Sequence, residues 1–189
     1  MKLSIFTNDV LTKGAILGGV MAASKIAETA MLYYGGLDWA LLILLEALIV
    51  IVLYIYLLYR FTRNYSNLVL EQRKDMPYFT YGNGLSYIVL VSMLAGVIAG
   101  LSGYLFMHFN IGYDNFVDKM VTMVQNAFVQ SGVPMTPEYS QILNDLQSTS
   151  EPDFIDSILS NAWSYLIYGT VVGLILAIFT TRKPQLFNN

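Results

Sequence analysis

Lys25, Glu28 and Glu46 lie inside stretches that are otherwise apolar. Lys25 and Glu28 are three residues apart, so on a helix they share a face. Glu28 stands eight residues before Gly36, and Glu46 eight after Asp38. At 1.5 Å of rise per residue, each carboxylate is about 12 Å from the turn between them. A tight antiparallel hairpin therefore sets one cation and two carboxylates near one level. A single charge facing lipid costs several kcal/mol, so such groups pair, line a polar path or dock against something. Two readings follow: an ion cluster that fixes helix pairing or docks a partner helix, or a proton or solute site. Two acids at one site push their pKa values apart, which is the basis of acid–base catalysis, but nothing else nearby supports that chemistry.

Other chemistries are poorly supplied. There are no cysteines, so no disulfide, thiolate metal site or cysteine nucleophile is available. His108 is the single histidine; Tyr104 and Asn110 beside it do not complete a metal site. Gly82-Asn83-Gly84 lacks the Lys-Ser/Thr that follows a phosphate-binding loop. No nucleic-acid module is present. The expectation is a protein without enzymatic activity, cofactor or metal.

The elements that position these residues are membrane helices. The chain has 189 residues, 56% hydrophobic and 12% charged, with mean hydropathy +0.54. Soluble domains carry about twice that charge. A span needs about 20 apolar residues to cross roughly 30 Å. Four stretches qualify, at about 14–34, 39–59, 85–109 and 158–180. Asp9 and the long apolar run to Tyr34 argue against a cleaved leader. Lys2, Lys13, Arg60, Arg63, Arg73, Lys74, Arg182 and Lys183 all fall on one side of such a four-span chain. The long segment 110–157 holds Lys119 against seven acidic residues. Basic residues favour the cytoplasm. Both termini and the 60–84 loop are thus expected inside, and 110–157 outside.

Interfacial aromatics fit the same layout. Tyr33, Tyr34, Trp39, Tyr104, Phe109 and Trp163 suit an outer belt, and Tyr56, Tyr59, Phe61, Tyr78, Phe79 and Tyr81 an inner one. Pro77, Gly82 and Gly84 are expected to keep the inner loop from being helical before the third span. Arg60, Arg63, Arg73 and Lys74 form a basic juxtamembrane group suited to anionic lipid or a partner. In the outer segment, Phe116, Val117, Met120, Val121, Val124 and Phe128 recur at helical spacing, closed by Ser131-Gly132. Thr136-Pro137-Glu138 starts a second helix, with Tyr139, Ile142, Leu143 and Leu146 on one face. These short amphipathic helices must bury those faces on each other, on the bilayer surface or on a partner. Small residues recur every fourth position: Gly14 and Gly18; Ser92, Gly96 and Gly100; Gly169 and Gly173. That spacing lets helix backbones approach, within one bundle or between molecules.

The phrase YFTYGNGLSYIVLVSMLAGVIAGLSGYLF, the outer helix, SGVPMTPEYSQILND and a last span ending Thr-Arg-Lys together resemble the four-span membrane proteins of Bacteroidota grouped as the domain of unknown function 4199. The resemblance covers nearly the whole chain and implies the fold without an assigned activity or catalytic residues. Members are often encoded near a membrane glycosyltransferase that uses a polyprenyl phosphate, which implies such an enzyme as partner. The expected fold is an all-α inner-membrane bundle of four transmembrane helices with amphipathic extracytoplasmic helices between the third and fourth. The expected role is a scaffold or accessory subunit contacting the bilayer and a membrane protein partner, or self-associating. The alternative is a small oligomeric transporter or flippase-like protein using Lys25, Glu28 and Glu46.

Overall fold

The computed structural model describes residues 4–72, 78–132 and 136–181. Lys2, Arg73, Lys74, Pro77, Arg182 and Lys183 lie outside them. The described residues fold into six α-helices and no strand. They are α1 Ile5–Ala30, α2 Ala40–Gln72, α3 Tyr81–Phe106, α4 Tyr113–Ser131, α5 Pro137–Ser148 and α6 Phe154–Thr180. Three continuous helical stretches are long and apolar enough to cross a membrane: Ile5–Glu71, Tyr81–Ile111 and Phe154–Thr180. The first two expected spans fall in one of these, because a π-helical turn, Met31–Gly35, and a 3-10 turn, Gly36–Trp39, adjoin between α1 and α2 with no residue left outside a helical turn.

That stretch is folded back on itself. Phe6 meets Tyr65, with ring centroids 5.7 Å apart, and Ser24 meets Glu46. The pairs converge on Gly35-Gly36. Gly36 has φ +60 and ψ −146, a backbone conformation open essentially to glycine. A Cβ there would lie 2.9 Å from the sulfur of Met123 on α4. The turn thus reverses the chain and seats α4 over it.

α3 is the centre of the bundle. It runs parallel to α1, with Leu94 over Gly14 and Ile98 over Gly18. It runs antiparallel to α6, with Gly96 against Asn161 and Ala162, and Gly173 against Leu85 and Ile88. Tyr87, Ile88, Val91 and Ala95 are fully buried there. α2 packs more loosely. Its buried face is Tyr54, Leu58, Phe61, Thr62, Tyr65 and Ser66, while Leu48, Ile49 and Val52 are more than half exposed.

Two boundaries differ from the sequence reading. α2 does not stop near Tyr59 but continues to Gln72. Arg60 and Arg63 are exposed on its outer face, whereas Leu58, Phe61, Thr62 and Tyr65 hold the i, i+3, i+4, i+7 stripe that packs onto α1 and α3. Charge ends the apolar span without ending the helix. Gly82 and Gly84 lie in the first turn of α3, behind the Thr80 cap, whose hydroxyl accepts from the Asn83 amide. At a helix start, where amides lack intrahelical partners anyway, glycine is tolerated. Phe61 and Phe79, expected in an interfacial belt, are core residues, 7% and 0% exposed.

Between α3 and α6 the chain forms a helical pair. α4 begins after Gly112, at φ +82, and α5 after the Thr136 cap with Pro137 in its first turn. Val117 and Val121 on α4 bury against Leu143 on α5, and Phe128 meets Tyr139 at 5.1 Å.

Candidate functional site

The ionisable residues of the hairpin occupy one level but not one ion cluster. The Lys25 ammonium meets Glu28 Oε2 at 3.5 Å along α1, both side chains partly exposed. The Ser24 hydroxyl donates to Glu46 Oε1 at 2.6 Å, tying α1 to α2. Among the described residues Glu46 forms no ion pair. The Tyr165 hydroxyl on α6 lies within electrostatic reach of both Glu28 and Glu46. Lys25 and Glu28 thus pair with each other, and among the described residues Glu46 is met by a single hydroxyl donor.

The lysine stem lies against α3, with Cγ 3.3 Å from where a Gly103 Cβ would stand. Lys25 lines a pocket of about 180 Å³ with Thr29, Tyr104, Glu151 and Asn161. At its rim His108 Nδ1 is 3.1 Å from both carboxylate oxygens of Glu151 and its ring stacks on Tyr104. The histidine therefore joins the end of α3 to the segment leading into α6.

A second polar line runs toward the other end of the bundle, and the sequence reading did not single it out. Tyr54 on α2 donates to Ser92 on α3 at 2.8 Å, both buried. The Tyr87 hydroxyl donates to Asp9 Oδ2 at 2.5 Å, linking α3 to α1. Tyr65 stacks on Tyr87 at 4.5 Å and 5°. The legible signal was tyrosine in mid-span. A phenol inside an apolar helix needs a partner for its hydroxyl, so Tyr54 and Tyr87 point inward.

The small residues are spent on internal packing. A Cβ at Gly14 would meet Leu94 at 2.6 Å, and one at Gly18 would meet Ile98 at 2.8 Å. At Gly96 and Gly100 it would meet α6 at 2.7 and 2.9 Å; at Gly169 it would meet Ser92 at 2.5 Å, and at Gly173 Leu85 at 2.9 Å. Of the basic group, Arg60 donates to Tyr56 Oη at 3.0 Å and Arg63 to Tyr59 Oη at 2.7 Å. Both arginines bond to tyrosines one turn back, which aims the guanidinium along α2. Arg73 and Lys74 are outside the described residues. No group of three or more His, Cys, Asp or Glu side chains suited to a metal ion occurs among the described residues.

Next to the Ser24–Glu46 pair is an apolar slot of about 640 Å³ between α2 and α6. Its floor is Met21 and Tyr54, 2% and 7% exposed. Its sides are Val50 on α2 and Tyr165 and Val172 on α6. Its mouth, at Ile51, Tyr168 and Val171, opens sideways.

The sequence profile of the family described as "Protein of unknown function (DUF4199)" matches residues 12–182. The match takes in every long helix apart from the first seven residues of α1, and the chain belongs to this family. No curated protein and no solved structure matches it.

Proposed function

We propose that this member of the DUF4199 family is a non-catalytic bacterial inner-membrane protein that crosses the bilayer four times and docks a membrane partner. The hairpin at Gly35-Gly36 supports the span count, since α1 and α2 lie side by side and each is long enough to cross. Lys13, Arg60 and Arg63 gather at the end where α1 and α3 begin and α2 leaves the apolar zone; Lys13 lies 5.4 Å over the Phe61 ring. The positive-inside rule then puts both termini in the cytoplasm and α4–α5 outside.

The observation that carries the docking role is the outer face of α4–α5. The pair buries Val117, Val121 and Leu143 on itself but leaves Val129, Tyr139, Ile142 and Leu146 exposed, Val129 at 80% and Ile142 at 60%. Exposed apolar side chains gathered on a helical pair beyond the membrane suit a contact with protein or headgroups. The partner suggested by the family resemblance is a polyprenyl-phosphate glycosyltransferase. A photo-crosslinking residue at Ile142, with a control at Ile178 on the lipid face of α6, tests this in native membranes. A defined protein adduct at Ile142 and lipid adducts at Ile178 are expected. Lipid adducts alone at both positions would overturn the docking role.

A further inference from the structure

We propose that the slot between α2 and α6 is a binding site for a lipophilic organic cation, held by the Glu46 carboxylate and three tyrosine rings. The site stands independently of the docking role, since none of its lining residues belongs to α4 or α5.

Four observations converge on that ligand chemistry. The first is shape. About 640 Å³ falls in the range of drug-sized sites, and the lining is almost wholly apolar. The buried floor at Met21 and Tyr54 and the exposed mouth at Ile51, Tyr168 and Val171 make it a lateral slot, entered from the apolar phase. Its occupant must be soluble there.

The second is charge. Glu46 precedes Val50 by one turn on the same face of α2, and Ser24 follows Met21 by three residues on α1. The Ser24–Glu46 pair is not part of the lining itself; it stands about one turn beyond Val50 and Met21, toward the Gly35-Gly36 turn. Lys25 is engaged by Glu28, whereas Glu46 has no basic partner among the described residues. A carboxylate among apolar side chains, with one hydroxyl donor, favours a positive ligand over a neutral or negative one.

The third is the aromatic lining. Tyr54, Tyr165 and Tyr168 form a run of edge contacts, with centroids 6.0 and 6.2 Å apart. Ring faces attract organic cations, more strongly where water is excluded. The fourth is α2 itself, whose sparse packing on α6 leaves the space open while α3 and α6 are closed on each other by Gly96, Gly100 and Gly169.

The test uses the full chain in lipid nanodiscs with tetraphenylphosphonium as the probe. Tetraphenylborate, a near-isosteric anion, controls for partition into lipid. Saturable binding of the phosphonium and none of the borate is expected. Glu46→Gln should weaken phosphonium binding at least tenfold. Val171→Trp, which fills the mouth on a lipid-facing position and leaves the carboxylate intact, should weaken it similarly. Both variants are checked for wild-type thermal unfolding. If Glu46→Gln does not fold, Val171→Trp decides the matter. Phosphonium uptake no greater than for empty nanodiscs would overturn the site. So would binding unchanged by Val171→Trp, or by a folded Glu46→Gln.

Discussion

Replacing Gly96 with alanine should destabilise the bundle, whereas the same change at Gly19 should not. A Cβ at Gly96 would lie 2.7 Å from Tyr165 Cβ, 2.8 Å from the Asn161 carbonyl oxygen and 3.0 Å from Ala162 Cα. Carbon atoms pack best near 3.5–4.0 Å. Two of the three obstacles are backbone atoms, so no rotamer change relieves the clash and α6 must retreat by roughly 0.5–1 Å, as those optimal distances require. The retreat also loosens Gly100 against Ile158 and Gly169 against Ser92, which use the same close approach. Overpacking of this kind costs about 1–3 kcal/mol. Alanine regains about 0.8–1 kcal/mol of helix propensity over glycine. The expected net loss is on the order of 0–2 kcal/mol, against a gain of about 0.8–1 kcal/mol where no clash opposes it. At Gly19 a Cβ would meet nothing within 4 Å, so only the propensity gain remains. The assay is reversible unfolding in mixed micelles with rising anionic detergent, followed by helical circular dichroism and tryptophan fluorescence. A Gly96→Ala protein as stable as Gly19→Ala would refute the close approach of α3 and α6.

Tyr87→Phe removes the donor to Asp9, a bond to an ionisable acceptor, and should cost about 1.5–3 kcal/mol by the same unfolding assay. Tyr54→Phe removes the bond to Ser92, between neutral groups, and should cost about 0.5–1.5 kcal/mol; the reverse order would show that Asp9 is not an anchor. Gly36→Ala forces a Cβ into a glycine-only conformation at φ +60, and the strain should cost about 1–3 kcal/mol. Because Met123 sits over that turn, amide hydrogen exchange in α4 should quicken at the same time. Unaltered exchange there would mean that the Met123 contact does not hold α4.

Much of the fold was legible because membrane helices obey a one-dimensional rule. Apolar length sets where each crosses, and every backbone group must be satisfied inside its own segment. The caps were legible for a related reason. Thr136-Pro137 acts on the next three residues, a range the chain itself specifies, and α5 begins there. The end of α2 was hidden because Arg60 and Arg63 mark the limit of the apolar run, while Phe61, Thr62 and Tyr65 continue the helix on its protein face. Span length and helix length are different quantities, and hydropathy reports the first.

The site divides along the same line. Sequence alone put Lys25, Glu28 and Glu46 at a common level, since depth follows from residue count and helical rise. It also marked the small residues as places where backbones meet. Which helix meets which required the bundle: Gly14 and Gly18 face α3, whereas Gly96, Gly100, Gly169 and Gly173 join α3 to α6. The charge pairing was likewise a tertiary outcome. Lys25 reaches Glu28 on its own helix, and Glu46 is answered by Ser24, because rotation of each helix about its axis is set by packing. Depth is a local property of the chain and azimuth is a collective one. For that reason the carboxylate could be located from residues 1–189 read in order, but the slot beside it existed only once α2 and α6 stood apart.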